Sequence, residues 1–164
     1  MGGLEIRRED ILSETARGLI AALNAELSAV YPEPGATHFR LDPGEVAPGR
    51  GAFLVARDGG VPAGCGAVRL LADGAAEVKR MYVAPARRGR GVGRGILAAL
   101  EEEARRIGAR RLVLETGVRQ VPAIRLYRDA GWREIPPYGE YATAKETAYL
   151  ATGLSLFLGK DLPA

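Results

Sequence analysis

A turn rich in arginine and glycine, residues 84–93, contains the residues best suited to bind a charged ligand. Gly89, Gly91 and Gly93 alternate there with other residues, between a predicted strand that ends at Val83 and an apolar helix. Glycines let a backbone approach a ligand closely, and the start of a helix presents unpaired N–H groups. The pattern predicts a cradle for a diphosphate. An arginine-rich solvated turn with glycines for tight packing is the alternative.

Positive charge is concentrated around this turn. Residues 79–94 contain no carboxylate and six cations: Lys79, Arg80, Arg87, Arg88, Arg90 and Arg94. The whole chain has a net charge of +3, so the remaining residues are net negative. Such local basicity favours a compact polyanion over a long nucleic-acid track, and we expect no nucleic-acid partner.

Two other phosphate-binding patterns fit less well. The only Gly-Lys pair, Gly159-Lys160, is followed by Asp161 and lacks the rest of a Walker P-loop. Residues 93–98 match the dinucleotide pattern G-x-G-x-x-[GA], and Glu115 follows at a strand end. That pattern should turn directly from a strand into a helix, whereas residues 84–92 intervene here and no second βαβ unit follows. The dinucleotide interpretation is therefore a weak match.

The elements that position this turn follow from the hydrophobic periodicity. Ser13 is placed to cap a first helix that reaches Val30, and Gly108 follows the end of a second helix. Residues 31–51 are predicted to be a long loop with room for a short helix, because proline and glycine interrupt them. The predicted order of elements is β, α, βββ, α, β, α, ββ. The strands are predicted at residues 4–8, 52–57, 61–71, 76–83, 111–115, 132–135 and 154–158. The two later helices are predicted at residues 92–107 and 122–130.

Composition sets the class of protein. The 164 residues are 47% apolar and 26% charged, which predicts one globular α/β domain spanning residues 1–164. No apolar run reaches the length of a membrane span, and the first residues lack a secretory signal, so we expect a cytoplasmic protein without a membrane partner. Cys65 and His38 are the only residues of their types, too few for a zinc site, and no metal is expected.

Three further segments carry a resemblance to a known family. Residues 88–93 resemble the pyrophosphate motif [RQ]-x-x-G-x-[GA] of the GNAT superfamily of acetyl-CoA-dependent N-acetyltransferases. Residues 77–85 look like that family's fourth strand, and residues 123–132 look like its A-x-x-L-Y-x-x-x-G-[FWY] segment. Residues 114–117, Leu-Glu-Thr-Gly, resemble a small bacterial branch of these enzymes.

The resemblance implies a fold and an activity. The fold would be a central, mixed, mostly antiparallel twisted sheet of about six or seven strands, flanked by about four helices and splayed between strands 4 and 5. The activity would be transfer of an acetyl group from acetyl-CoA to a primary amine of a small molecule or peptide, by direct attack on the thioester. A CoA-binding sensor or structural module without turnover is the alternative.

The resemblance also assigns residues to the acetyl-CoA site. Gln120 stands where the family often has Asn near the pantetheine, and the backbone of Met81 and Val83 would hydrogen-bond the pantetheine. The full expected set of cofactor-binding residues is Met81, Tyr82, Val83, Arg88, Gly89, Arg90, Gly91, Val92, Gly93, Arg94, Gln120, Ala123 and Tyr127.

Two residues are expected to be catalytic. An alkylammonium with a pKa near ~10 must lose a proton before it attacks, and the departing thiolate must gain one. The resemblance places Glu77 as the general base, through water, and Tyr127 as the general acid. The alternatives are that Glu77 only balances Lys79 or Arg80 and that Tyr127 is a core aromatic residue.

Further expectations concern the cysteine, the acceptor and a homodimer contact. Cys65 could form an acyl-cysteine, although a packed small side chain fits its apolar strand better. Residues 31–51, which include His38, and residues 134–141 are expected to select the acceptor. The long segment after residue 141 is a candidate for a homodimer contact.

Overall fold

Seven strands form one mixed sheet in the computed structural model, which describes residues 3–33, 41–142 and 153–163. The strand order across the sheet is β1-β2-β3-β4-β5-β7-β6. In chain order the elements are β1 (Leu4–Arg8), α1 (Glu14–Val30), β2 (Gly51–Asp58), β3 (Val61–Leu70), β4 (Ala76–Val83), α2 (Val92–Arg106), β5 (Arg111–Gly117), α3 (Val121–Asp129), β6 (Arg133–Glu134) and β7 (Ser155–Asp161).

The predicted order of elements, with its three helices, is confirmed. The family resemblance implied about four helices; the described ranges contain three α-helices, together with short 3-10 turns at Pro43–Val46, Pro85–Arg87 and Gly139–Ala142. Proline and glycine at the start of the first turn leave only a single turn of helix there. The last strand is also longer than predicted and lies between β5 and β6.

Local signals explain where several elements begin and end. The Ser13 hydroxyl accepts a hydrogen bond from the Ala16 N–H at 3.1 Å and caps α1. Gly108 follows α2 with φ +87°, a left-handed conformation that glycine adopts without strain. Gly59 and Gly60 both have positive φ in the hairpin that joins β2 to β3.

The sheet opens between β4 and β5. These two strands are parallel and pair only at Ala76↔Leu112 and Glu77↔Val113. Beyond Glu77 the two strands diverge, while β7 pairs with β5 along its whole length. The carboxyl half of β4 therefore has unpaired backbone groups that face a cleft, as the family resemblance implies.

A β-bulge divides β4 into two halves. The residue at its centre, Arg80, has φ +59°, and the pairing of β3 with β4 shifts between Cys65 and Ala67. Before the bulge Val78 packs on the α2 side of the sheet; after it Met81 and Val83 do so. The extra residue thus reverses the alternation of side chains along the strand.

The core lies in two layers, one on each side of the sheet. Ile96 and Leu100 of α2 are fully buried on one side, and Leu19 and Leu23 of α1 pack on the other. A Cβ at Gly66 would lie 2.8–2.9 Å from Ile96, Leu100 and Met81, so only glycine allows α2 to approach this closely. Within the described ranges, no helix is long and apolar enough to cross a bilayer.

Candidate active site

A cavity of about 480 Å³ lies at the opening of the sheet, between α1, the end of β4, the 84–93 turn and α3. This volume is within the range of about 300–1,000 Å³ that is common for small-molecule sites. All the residues expected to bind acetyl-CoA line the cavity except Arg90, which lies 3.8 Å from Asp58 outside it. The residues expected from the sequence thus lie together around one cavity. We call it the donor cavity.

The 84–93 turn forms one end of the donor cavity. Gly89 and Gly91 have φ +76° and +82°, and Gly91 is the residue immediately before α2. A Cβ at Gly93 would lie 3.1 Å from Leu126, so this glycine keeps α2 close to α3. The first turn of α2 has neither an acidic residue nor a side-chain cap. Its N–H groups are consequently available to an anion.

Arg88 bridges two walls of the donor cavity. Its Nε donates to the Val83 carbonyl at 2.9 Å, and its guanidinium pairs with Glu26 of α1 at 2.6 Å. The guanidinium also lies over the Tyr82 ring, 5.9 Å from its centroid. Glu26 thus holds the arginine that we expect to contact a phosphate.

Tyr127 of α3 lies at the inner end of the donor cavity. It is 4% exposed and packs against Trp132 with the ring centroids 5.8 Å apart. No hydrogen bond joins its hydroxyl to another of the described residues. Burial raises the pKa of Tyr127, and the nearby Glu115 carboxylate raises it further. The phenol therefore keeps its proton at neutral pH, as a general acid must.

A second cavity of about 130 Å³ lies on the other side of Tyr127. We call it the acceptor cavity. Five residues line both cavities, which places the contact between them at this point: Leu23, Met81, Gln120, Ala123 and Tyr127. The remaining wall of the acceptor cavity comes from β4, β5 and Tyr141, and includes Glu77, Lys79, Arg80 and Glu115.

Glu77 is held by two partners that the sequence analysis did not identify. It is 1% exposed; one carboxylate oxygen accepts from Arg69 Nε at 2.8 Å and the other from the Tyr138 hydroxyl at 2.5 Å. Lys79 Nζ is more distant, at 3.9 Å. Arg69 also pairs with Glu45. The main charge partner of Glu77 is thus Arg69 of β3, rather than Lys79 or Arg80.

Tyr138 connects Glu77 to the loop that was expected to select the acceptor. Its ring packs edge-on against Phe157 of β7, with the centroids 5.8 Å apart, and against Tyr141 at 5.5 Å. Burial and the Glu77 carboxylate both raise the pKa of Tyr138. The loop is therefore attached to the buried end of β4 by a hydrogen bond and an aromatic cluster.

Tyr31 closes the outer end of the opening. Its hydroxyl accepts a hydrogen bond from the Arg119 N–H at 2.9 Å, and Arg119 pairs with Glu33 at 2.5 Å. A Cβ at Gly117 would lie 1.9 Å from the Tyr31 hydroxyl oxygen. The sequence analysis missed this contact, although a glycine within a strand indicates that another group approaches closely.

Other sequence expectations concern single residues. Cys65 is fully buried, and burial raises the pKa of its thiol to about 12, which agrees with a packed side chain. His38 lies outside the described residues. In the described ranges, no group of three His, Cys, Asp or Glu side chains is arranged to hold a metal ion.

Comparisons with known proteins agree with this geometry. The family model described as "Acetyltransferase (GNAT) family" matches residues 17–132. The chain is 39% identical to the IAA acetyltransferase of Azospirillum brasilense over 163 residues, which cover 99% of this chain and 100% of that protein.

Two solved structures extend the comparison. A Klebsiella pneumoniae protein that carries the name of an acyl-CoA N-acyltransferase superposes with a TM-score of 0.78 at 31% identity, covering 98% of both chains. The Salmonella typhimurium protein yncA, solved with its cofactor acetyl-CoA, has a TM-score of 0.64 at 22% identity and covers 98% of this chain and 95% of its own. The second likeness concerns the fold alone. On the family match and the 39% identical relative, the chain belongs to the GNAT family and is an acetyltransferase.

Proposed function

We propose that the protein transfers an acetyl group from acetyl-CoA to a primary amine of a small molecule or peptide. The observation that carries the proposal is the meeting of two cavities at Tyr127, one of which ends in a glycine-rich anion cradle. A cradle at one end and a protonated phenol at the other suit a thioester donor with a diphosphate. The second cavity gives the amine a separate approach to the same point.

The donor cavity offers a matching group for each part of acetyl-CoA. The backbone N–H groups of residues 89–93 would bind the diphosphate, assisted by Arg88 and Arg94. The backbone of Met81 and Val83, on the edge of β4 that β5 leaves open, would bind the pantetheine in the manner of an added strand, next to Gln120 and Ala123. The Val83 carbonyl already accepts from Arg88, so Val83 would offer its N–H. Bound acetyl-CoA supplies the activated acetyl group, and the protein orients it.

Tyr127 and Glu77 would move the protons. The Tyr127 hydroxyl would donate its proton to the departing thiolate, since burial keeps it protonated. Glu77 would accept the proton of the amine through water, because its two oxygens each have one donor and a carboxylate has about four acceptor sites. Arg69 and Tyr138 would hold that carboxylate in place.

Acetyl-CoA binding and turnover test the proposal separately. Stabilisation of the purified protein by acetyl-CoA, but not by NADH, in a thermal-shift assay is the expected first result. Thiol release with a panel of primary amines then measures transfer. Binding without thiol release from any amine would favour the alternative of a CoA-binding module without turnover.

Tyr127→Phe tests the proposed acid. We expect kcat to fall by about 10²–10⁴-fold, the usual contribution of general acid–base catalysis, with the acetyl-CoA Kd unchanged within about twofold. The Tm of Tyr127→Phe, measured without ligand, is the control, because a Tm close to that of the wild type shows that the loss of turnover does not come from a damaged fold. Equal kcat in Tyr127→Phe and the wild type would remove Tyr127 from the mechanism.

A further inference from the structure

Lys79 lines the acceptor cavity, and none of the described carboxylates lies within hydrogen-bond distance of its ammonium group. Its side chain is 16% exposed, and its ion-pair partner, Glu77, lies 3.9 Å away, beyond hydrogen-bond distance. The same carboxylate already receives closer hydrogen bonds from Arg69 and Tyr138. Burial lowers the pKa of Lys79 in spite of the nearby Glu77 charge. A partly buried ammonium in this state gains stability from any additional anion.

Arg80 follows Lys79 in β4, and its positive charge has even less negative charge near it. In the part of the chain that the structure describes, no carboxylate lies within 4.0 Å of its guanidinium. Burial lowers the pKa of Arg80 as well. Its backbone has φ +59°, an uncommon conformation for a residue with a side chain, and such residues occur often at ligand sites. The bulge therefore adds a second cation to the wall that Lys79 already occupies.

The opposite wall of the acceptor cavity carries negative charge. Glu115 of β5 lines this cavity, and it is close enough to Tyr127 to raise the pKa of that phenol. Glu77, Lys79 and Arg80 belong to β4, across the opening of the sheet. The cavity thus has one carboxylate near Tyr127, that of Glu115, and two cations along β4.

We propose that the acceptor is a small molecule that carries a carboxylate as well as the amine, with Lys79 and Arg80 binding the carboxylate. This rests on the proposed function and narrows its substrate class to amino acids. The amine would lie toward Tyr127 and Glu115, and the carboxylate of the acceptor toward Lys79 and Arg80. Lys79 and Arg80 would then determine specificity without taking part in proton transfer.

The test compares α-amino acids with their own carboxamides in the thiol-release assay. Each pair differs in the negative charge and in the basicity of the amine. The basicity is the same whichever protein is assayed, so the change in the ratio of the two kcat/KM values between wild type and variant isolates the recognition of the charge. We expect the acid to be preferred at least tenfold by the wild type, and the ratio to approach one in Lys79→Gln and in Arg80→Asn. Asn is chosen because it tolerates a left-handed backbone better than most residues.

Arg17→Gln provides the matched control, since Arg17 is an exposed arginine of α1 that lines neither cavity. It should keep the wild-type ratio. A ratio near one in the wild type, or a tenfold preference that survives both β4 variants, would overturn the proposal.

A failure of the proposed function gives a different result. If acetyl-CoA binds but no amine is acetylated, the amine transfer is wrong, and the anion site is judged by binding alone. N-acetylated amino acids and their carboxamides are then compared by thermal shift in the presence of CoA. Stabilisation by the acids that disappears in Lys79→Gln supports the anion site, and equal stabilisation by acids and amides refutes it.

Discussion

Replacing Arg69 by Met would leave the Glu77 carboxylate buried with only weak compensation. The Arg69 side chain is 16% exposed and Glu77 is 1% exposed, and their ion pair is 2.8 Å long. Without the guanidinium, Glu77 would retain the Tyr138 hydroxyl at 2.5 Å and Lys79 at 3.9 Å. Removing one partner of a buried ion pair typically costs about 3–5 kcal/mol, because the remaining charge is still desolvated.

We therefore expect Arg69→Met to lower the free energy of unfolding by about 3–5 kcal/mol. For a protein of this size that corresponds to a fall in Tm of roughly 6–20 °C, at ~2–4 °C for each kcal/mol. Urea unfolding followed by the fluorescence of Trp132 measures the change. Trp132 is the single tryptophan and is 3% exposed, so unfolding alters its environment.

The double variant Arg69→Met/Glu77→Met separates the charge from the packing. It removes both charges of this pair and leaves only the less buried Glu45 and Lys79 (22% and 16% exposed) without Arg69 and Glu77. It should therefore be about 2 kcal/mol more stable than Arg69→Met, in which the fully buried Glu77 charge remains. Arg111→Met is the control, since its ion pair with Asp73 is exposed (48% and 57%) and should contribute no more than about 1 kcal/mol. The reasoning is refuted if Arg69→Met unfolds within about 1 kcal/mol of the wild type, or if the double variant is no more stable than the single one.

Three further predictions concern the donor cavity and the cysteine. Gly91→Val should raise the acetyl-CoA Kd at least ~10-fold by calorimetry, because φ +82° is strained for a β-branched residue and the cradle would distort. The same change at Gly60, with φ +84° in a hairpin outside the cavity, should leave the Kd unchanged. An unchanged Kd in Gly91→Val would contradict the cradle. Glu26→Gln should lower the acetyl-CoA Kd by about 2–10-fold, since it frees Arg88 from a 2.6 Å ion pair and removes a negative charge from the cavity. A higher Kd would show instead that Arg88 needs Glu26 for its placement. Cys65 should react with a thiol reagent at pH 8 only as fast as the protein unfolds. A pKa of about 12 leaves roughly one thiol in 10⁴ ionised at that pH, and the side chain is fully buried. Rapid labelling of the folded protein would argue against that burial.

Features that depend on neighbouring residues were predictable from the sequence. The Ser13 cap and the Gly108 stop each depend on residues within one helical turn, and the structure contains both. The 84–93 turn was identified because its glycines and the helix after it are contiguous. The residues that the family resemblance assigns make up two thirds of the lining of the donor cavity, because much of that lining comes from contiguous motifs, whereas Leu23, Glu26 and Val30 come from the distant helix α1.

The acceptor cavity was less predictable because its contacts join distant segments. Tyr138 reaches Glu77 across a separation of 61 residues, and no local pattern specifies that contact. The contact between Arg69 and Glu77 was predictable, because the two residues lie directly opposite each other in the β3–β4 hairpin. A register worked out from the turn at residues 72–75 would have paired these two side chains. The sequence analysis considered only cations on the same strand as Glu77.

The bulge at Arg80 makes the length of β4 more constrained than its residue types. Deleting one residue there would turn Met81 and Val83 toward α1 and Tyr82 toward α2, which would exchange the side chains of the two core layers. Substitutions at Lys79 or Arg80, by contrast, leave that alternation intact. If Lys79 and Arg80 bind the acceptor, its identity can change through point mutations on one half of the strand, whereas an insertion or deletion within β4 would disrupt both core layers.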